Sequence, residues 1–187
     1  FTTGADLLGS WFADVEKGDP PKRFALGAPF DALDLRPGRA LVFGGAPGTG
    51  KTGALVQMGV DMLRLNDGAR LLVANVEMVP ALLIERAVSR LSGVPLTAIS
   101  DRTLSPDQLA RVRVATDSLR AVAGRLAFLQ APFALEHVAA AGEAFGANVL
   151  MLDYLQRFSV GKGGQSQREQ LETACVRVRQ FCDTGAA

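Results

Sequence analysis

One octapeptide restricts what this chain can fold into more than any other feature. Gly45-Ala46-Pro47-Gly48-Thr49-Gly50-Lys51-Thr52 fits G-x-x-x-x-G-K-[ST] at every fixed position. An unbroken apolar run, residues 40–44, leads into it, as a strand buried on both faces would. A helical pattern over Lys51–Leu65, apolar at Leu55, Val56, Val60, Met62 and Leu63, leads out. Each residue type in the loop has a physical reason. Gly45, Gly48 and Gly50 let the backbone turn with its N–H groups aimed inward as an anion nest. A helix beginning at Lys51 adds the partial positive charge of its N-terminus at the same point. Lys51 carries a full charge to the β and γ phosphates, and the Thr52 hydroxyl is placed for Mg²⁺. The expected ligand is ATP with Mg²⁺, bound through residues 45–52.

Binding alone does not break a phosphate bond; hydrolysis needs acids at the ends of neighbouring strands. Val149-Leu150-Met151-Leu152-Asp153 reads as an apolar strand ending in an acid, and Asp153 there would hold Mg²⁺ beside the phosphate loop. Leu71-Leu72-Val73-Ala74-Asn75-Val76-Glu77 has the same form. If the two strands lie close in one sheet, Glu77 reaches the γ-phosphate and can orient and deprotonate the attacking water. Read without that context, Glu77 is an acid in the first turn of the following helix, and Asp153 is a turn cap.

The rest of the chain alternates strand and helix. Strands are expected at residues 70–76, 126–129 and 148–152. Helices are expected at residues 80–91, 105–123, 133–145 and 166–182, with Ser105 as N-cap, Pro106 in the first helical position and a Gly-rich loop at 161–164. This order means an α/β fold with a mainly parallel sheet flanked by helices. Residues 2–17 read as an amphipathic helix with Leu7, Leu8, Trp11, Phe12 and Val15 on one side, followed by a stiff Gly-Asp-Pro-Pro linker. Such a helix either folds back on its own domain or docks on a neighbour. The expected division is a helix and linker at 1–22 and an ATPase core at 23–187.

Composition narrows the function classes. Apolar residues are 48% and charged residues 21% of 187, which is globular rather than disordered. With 20 basic and 19 acidic residues, the totals show no basic surface for wrapping duplex nucleic acid. Cys175 and Cys182, seven apart on one helix, lie about 10 Å from each other and cannot bridge; both read as buried core thiols. His137 reads as an ordinary helix residue. No run of 18 apolar residues and no leader pattern is seen, so a cytoplasmic protein without a membrane partner is expected. The first residue, Phe1 rather than Met, reads as a fragment or processed chain.

Taken together, the phosphate loop, Asn75-Val76-Glu77-Met78 and Asp153-Tyr154-Leu155-Gln156 resemble the DnaB-type replicative helicases. That family carries glutamate then methionine after its second core strand, and Asp-Tyr-Leu-Gln at the magnesium acid. The resemblance covers residues 24–182, and the N-terminal amphipathic helix is similar to the family's linker helix. It implies a RecA-like fold and an ATP-driven hexameric ring that translocates on single-stranded DNA, with a primase or replication initiator as partner. It also implies Glu77 as the catalytic base, Asp153 and Thr52 at Mg²⁺, Lys51 on phosphate, Gln156 as a sensor of nucleotide, and Arg86 as a coupling residue between the nucleotide and DNA sites. Arg157, Lys162 and Arg168, in and after the loop that follows Asp153, are the candidate DNA contacts.

The departures are specific. Ala46-Pro47-Gly48-Thr49 stands where many members have an Arg-Pro-Ser-Met-like stretch. Met78-Val79-Pro80 lacks the usual hydroxyl residue, and residues 165–171 follow the family's polar helix start only loosely. Ala187 precedes the family's sensor-glutamine strand, its DNA-gripping loop and its arginine finger, so the sheet is expected to lack its last strands. Two rival readings share the phosphate loop: a RecA- or clock-protein-like ring or filament ATPase that does not unwind DNA, and a nucleotide-gated helicase loader or accessory module.

Overall fold

A computed structural model of the chain describes residues 2–18, 20, 22–158 and 167–183. Its centre is a three-stranded parallel sheet of β1 (Leu71–Asn75), β2 (Leu126–Phe128) and β3 (Val149–Asp153), in the order β2-β1-β3. The helices are α1 (Gly4–Lys17), α2 (Lys51–Leu65), α3 (Pro80–Ser92), α4 (Leu96–Ser100), α5 (Pro106–Arg120), α6 (Leu135–Phe145) and α7 (Gln167–Asp183). Single 3₁₀ turns lie at Ala123–Arg125 and Leu155–Arg157.

β1 is buried along its whole length because the sheet is covered on both sides. Its side chains divide with the two-residue period of a strand. Leu71 and Val73 pack with Met58, Met62 and Leu63 of α2, Leu83 of α3, and Phe24 and Leu26. Leu72 and Ala74 pack on the other face with Leu135 and Val138 of α6, Phe158, and Ala174 of α7. Leu71, Leu72 and Val73 are 2–6% exposed, so each contributes about 1.5–3 kcal/mol of burial. A third cluster, Val88, Val94, Ile99 and Ala115, binds α3, α4 and α5 together beyond the sheet.

The helix that follows the phosphate loop is held at both ends of its packing surface. A Cβ on Gly59 would stand 2.9 Å from Leu71 Cδ2 and from Met151 Cε, so α2 approaches the sheet more closely than any larger residue allows there. Asp61, 7% exposed, accepts both guanidinium nitrogens of Arg90 and so ties α2 to α3. Past its C-terminus, Arg125 donates to the carbonyls of Leu63 (2.7 Å), Asn66 (2.7 Å) and Ala69 (3.0 Å). One guanidinium thereby closes the last turn of α2 and the bend into β1.

Most element boundaries fall within a residue or two of expectation, and Ser105 caps α5 reciprocally with Gln108. Three points differ. Residues 40–44 run extended but make no strand ladder. Leu41 and Phe43 pack against the first cluster while Val42 is 83% exposed, so only one face is buried. Apolar composition specifies burial and not a hydrogen-bonding neighbour, and this segment stands off β3 across a cleft of about 720 Å³. The short helix α4 has no counterpart among the expected elements; Pro95 starts it and Ile99 buries it. Cys175, expected inside, is exposed, because α7 turns Ala174 rather than Cys175 into the core. The Cys182 side chain and the 161–164 loop lie outside the described residues. His137 is an exposed residue of α6, as expected.

Helix α1 is capped at both ends, by a Thr3–Asp6 capping box and by Gly18 in the left-handed region, yet none of its residues is buried. Leu7, Leu8, Trp11, Phe12 and Val15 are each 53–64% exposed. The helix does not fold its apolar side onto the described residues.

Candidate functional site

The parallel ladder puts the carboxyl ends of β1 and β3 on one edge. Asn75 and Asp153 are register partners, and the Val76 N–H donates to the Asp153 carbonyl at 2.8 Å, continuing the ladder one residue past β1. Glu77 follows immediately and is exposed. The two acids read from sequence therefore stand at the same sheet edge, and the condition attached to Glu77 is met by β3 itself.

The phosphate loop closes on this edge. Gly48 and Gly50 take φ of +80° and +89°, where a side chain is strained, and Gly50 is the N-cap of α2. The Thr49 hydroxyl donates to the Ala46 carbonyl at 2.9 Å. Lys51 Nζ donates to the carbonyls of Gly45 and Ala46, each at 2.8 Å, so the ammonium is held over the loop. The Thr52 hydroxyl donates to Asp153 Oδ2 at 2.7 Å. That bond joins the first turn of α2 to the end of β3, 101 positions along the chain. Asp153 is only 5% exposed.

A hydroxyl and a carboxylate at this spacing are hard oxygen donors. Mg²⁺ takes few protein ligands and completes its shell with phosphate oxygens and water, which the pair Thr52–Asp153 suits. Among the described residues no three His, Cys, Asp or Glu side chains gather into an all-protein metal cage. The set fits magnesium carried with a nucleotide.

Gly45, Pro47, Lys51, Glu77, Asp153, Tyr154 and Gln156 all line the 720 Å³ cleft. Gln156, in the turn Leu155–Arg157, is exposed to it. Arg157 in the same turn donates from Nε to the Tyr154 hydroxyl at 2.6 Å and lies over its ring. That hydrogen bond holds the guanidinium above its ordinary pKa, with a smaller contribution from the Glu77 charge nearby. Arg86 is half-buried on α3, on the far side of the turn from Glu77 in sequence, and makes no ion pair with a described residue. Lys162 lies outside the described residues, and Arg168 is described only as part of α7.

Asn75 escaped the sequence reading. It is buried at 8% exposure; its Nδ2 donates to Asp153 Oδ2 at 2.7 Å, and its Oδ1 accepts from the N–H groups of Glu77 (2.9 Å) and Met78 (2.7 Å). An asparagine at a strand end reads as a turn former, and only the register with Asp153 exposes this second role.

No helix among the described residues is long and apolar enough to cross a membrane. No curated protein matches the chain significantly. Solved structures do. A DnaB-like replicative helicase, determined together with its interactions with primase, superposes with a TM-score of 0.80 at 15% identity; it covers 98% of this chain, and the chain spans 46% of it. A second solved structure, an isolated ATPase domain, superposes with a TM-score of 0.81 at 15% identity, covering 98% of this chain and 68% of its own. These likenesses establish the RecA-like fold, a parallel sheet flanked by helices. Residues 31–182, most of the sequence, match the family of DnaB-like helicase C-terminal domains, and the chain belongs to that family.

Proposed function

We propose that this domain binds and hydrolyses ATP as the motor of a DnaB-type helicase, acting on single-stranded DNA as a homo-oligomeric, hexameric ring. The observation that carries the reading is the Thr52–Asp153 hydrogen bond, which brings phosphate loop and strand acid together at the edge where Glu77 stands. ATP lies with its phosphates in the nest of Gly45, Ala46, Pro47, Gly48, Thr49 and Gly50. Lys51 leaves the loop carbonyls for the β and γ phosphates. Thr52 and Asp153 would hold Mg²⁺, which supplies charge neutralisation across the β and γ oxygens. Glu77 orients the attacking water and takes its proton, and Gln156 reports nucleotide state from the cleft wall.

Residues 1–22 form a docking arm and residues 23–187 the ATPase core in this reading. The uncovered apolar side of α1 supports seating on a neighbouring subunit, since five large apolar residues on one helix are otherwise left in water. A neighbour would also supply the arginine that completes the site. Arg157, Lys162 and Arg168 track DNA phosphates, and Arg86 couples them to the nucleotide. A primase or replication initiator is the partner class that the primase-associated relative suggests.

The test is a pair of variants in the full-length protein. Lys51→Ala abolishes binding of a fluorescent ATP analogue while leaving the fold intact. Glu77→Gln keeps that binding and lowers hydrolysis by about 10²–10⁴, the size of a general-base contribution. Unchanged affinity in Lys51→Ala would overturn the phosphate-loop reading.

A further inference from the structure

The side chain of Asn75 does two things at once, and only an amide can do both. A carboxylate cannot donate and a backbone N–H cannot accept, so the two contacts fix which way the amide points. Nδ2 faces Asp153 Oδ2 and Oδ1 faces the Glu77 and Met78 amides. Asp153 Oδ2 thus receives two donors, Asn75 Nδ2 and Thr52 Oγ1, each at 2.7 Å. Its other oxygen takes no hydrogen bond from a described residue and is the one left for a metal-bound water. Hydrogen bonds to a carboxylate from a buried amide are charge-assisted and strong, so a displacement of Asp153 is felt directly by Asn75. The same amide caps the turn on which Glu77 rides.

We propose that Asn75 is a positioning residue that places the magnesium carboxylate and the general base as one unit: its amide holds Asp153 with one end and sets the backbone of Glu77 with the other. The proposal rests on the assignment of Asp153 and Glu77 given above. When the Asp153 carboxylate shifts on taking up the metal, the turn carrying Glu77 shifts with it, so base and metal acid come into place together. A serine or alanine here leaves the two acids on the same edge but without a shared tie.

The experiment is a double-mutant cycle in the full-length protein with Asn75→Ala, Glu77→Gln and the double variant. Affinity for a fluorescent ATP analogue is measured first, with excess Mg²⁺ and again with EDTA. Asn75→Ala weakens the magnesium-dependent affinity about tenfold and leaves the EDTA value within about twofold, as loss of a ligand-orienting group does. Equal weakening in both would show a general structural defect and overturn the proposal.

Single-turnover hydrolysis at saturating Mg²⁺–ATP is measured second. Asn75→Ala is slower by about 10–100-fold alone, and costs less than about threefold when Glu77 is already Gln. An equal cost in both backgrounds means that Asn75 does not act through Glu77 and overturns the proposal alone, with the ATPase reading intact. Glu77→Gln hydrolysing within about twofold of the unmodified protein removes Glu77 as base, and the proposal falls with that assignment. Should Asn75→Ala fail to fold, Asn75→Ser takes its place; its hydroxyl keeps the strand end polar but cannot span both partners.

Discussion

Replacing Arg125 by Ala probes how the helix behind the phosphate loop is anchored. The guanidinium is the shared donor to three carbonyls, at 2.7, 2.7 and 3.0 Å. The Asn66 carbonyl keeps a second donor, the Ala69 N–H at 3.0 Å. The other two belong to Leu63 and Ala69, both 0% exposed, where water does not easily follow. Each buried carbonyl stripped of a charged donor costs about 1–3 kcal/mol, and water entering the space left by the side chain recovers part of it. The expected loss is about 2–4 kcal/mol, a large part of the roughly 5–15 kcal/mol typical of a domain. Urea unfolding followed by circular dichroism and extrapolated linearly measures it directly. Arg125→Lys recovers about half, because an ammonium lacks the fork that serves three acceptors. Lys51 is at the opposite end of α2, about 21 Å away for a helix of this length. ATP-analogue affinity of the folded variant therefore stays unchanged. A stability loss below about 0.5 kcal/mol would refute the reasoning, since it would mean that those carbonyls are readily rehydrated.

Two further outcomes test the assembly and the DNA contacts. Leu8→Asp with Phe12→Asp, or removal of residues 1–20, converts rings to monomers in sedimentation. The emission of Trp11, the only tryptophan, shifts from a water-exposed to a buried signature as the unmodified protein assembles, and unchanged assembly in the variants would assign α1 no docking role. Replacing Arg157, Lys162 and Arg168 together by Ala weakens binding of a labelled single-stranded oligonucleotide, measured by anisotropy. It also lowers the salt slope, by about 0.7 for each phosphate no longer neutralised, while basal ATPase survives; an unchanged slope places the DNA-binding surface elsewhere.

What could be read without coordinates was whatever a local pattern encodes. Lys51–Leu65 was legible to the residue because Gly50 fixes its start and Asn66 its end. β1 and β3 were legible as apolar runs, since strands buried on both faces leave no alternation to misread. Residues 40–44 carry the same signal and form no ladder, because pairing depends on a neighbour that composition does not name. α4 is five residues long, too short for periodicity to show. Cys175 was misplaced by a small rotation of α7, since neighbouring Ala174 takes the inward position. Asn75 was illegible for a deeper reason: its partner Asp153 is 78 positions away, and only strand register brings them together.

That register has a consequence for how this domain tolerates change. Between Asn75 and Asp153 the chain makes α3, α4, α5, β2 and α6. None of these must keep its length for the acids to meet; the chain has only to return as β3 beside β1, five residues in step. Insertions in the connecting segments are therefore absorbed at little expense to the chemistry. A substitution at the middle of the ladder, at Val73 or its partner Met151, is another matter. Slipping the pairing by one residue would turn Asp153 to the opposite face of the sheet and separate it from Thr52 and Asn75. The positions least forgiving of alteration then include apolar ones that touch no nucleotide, and a screen for lost hydrolysis would find them in the core.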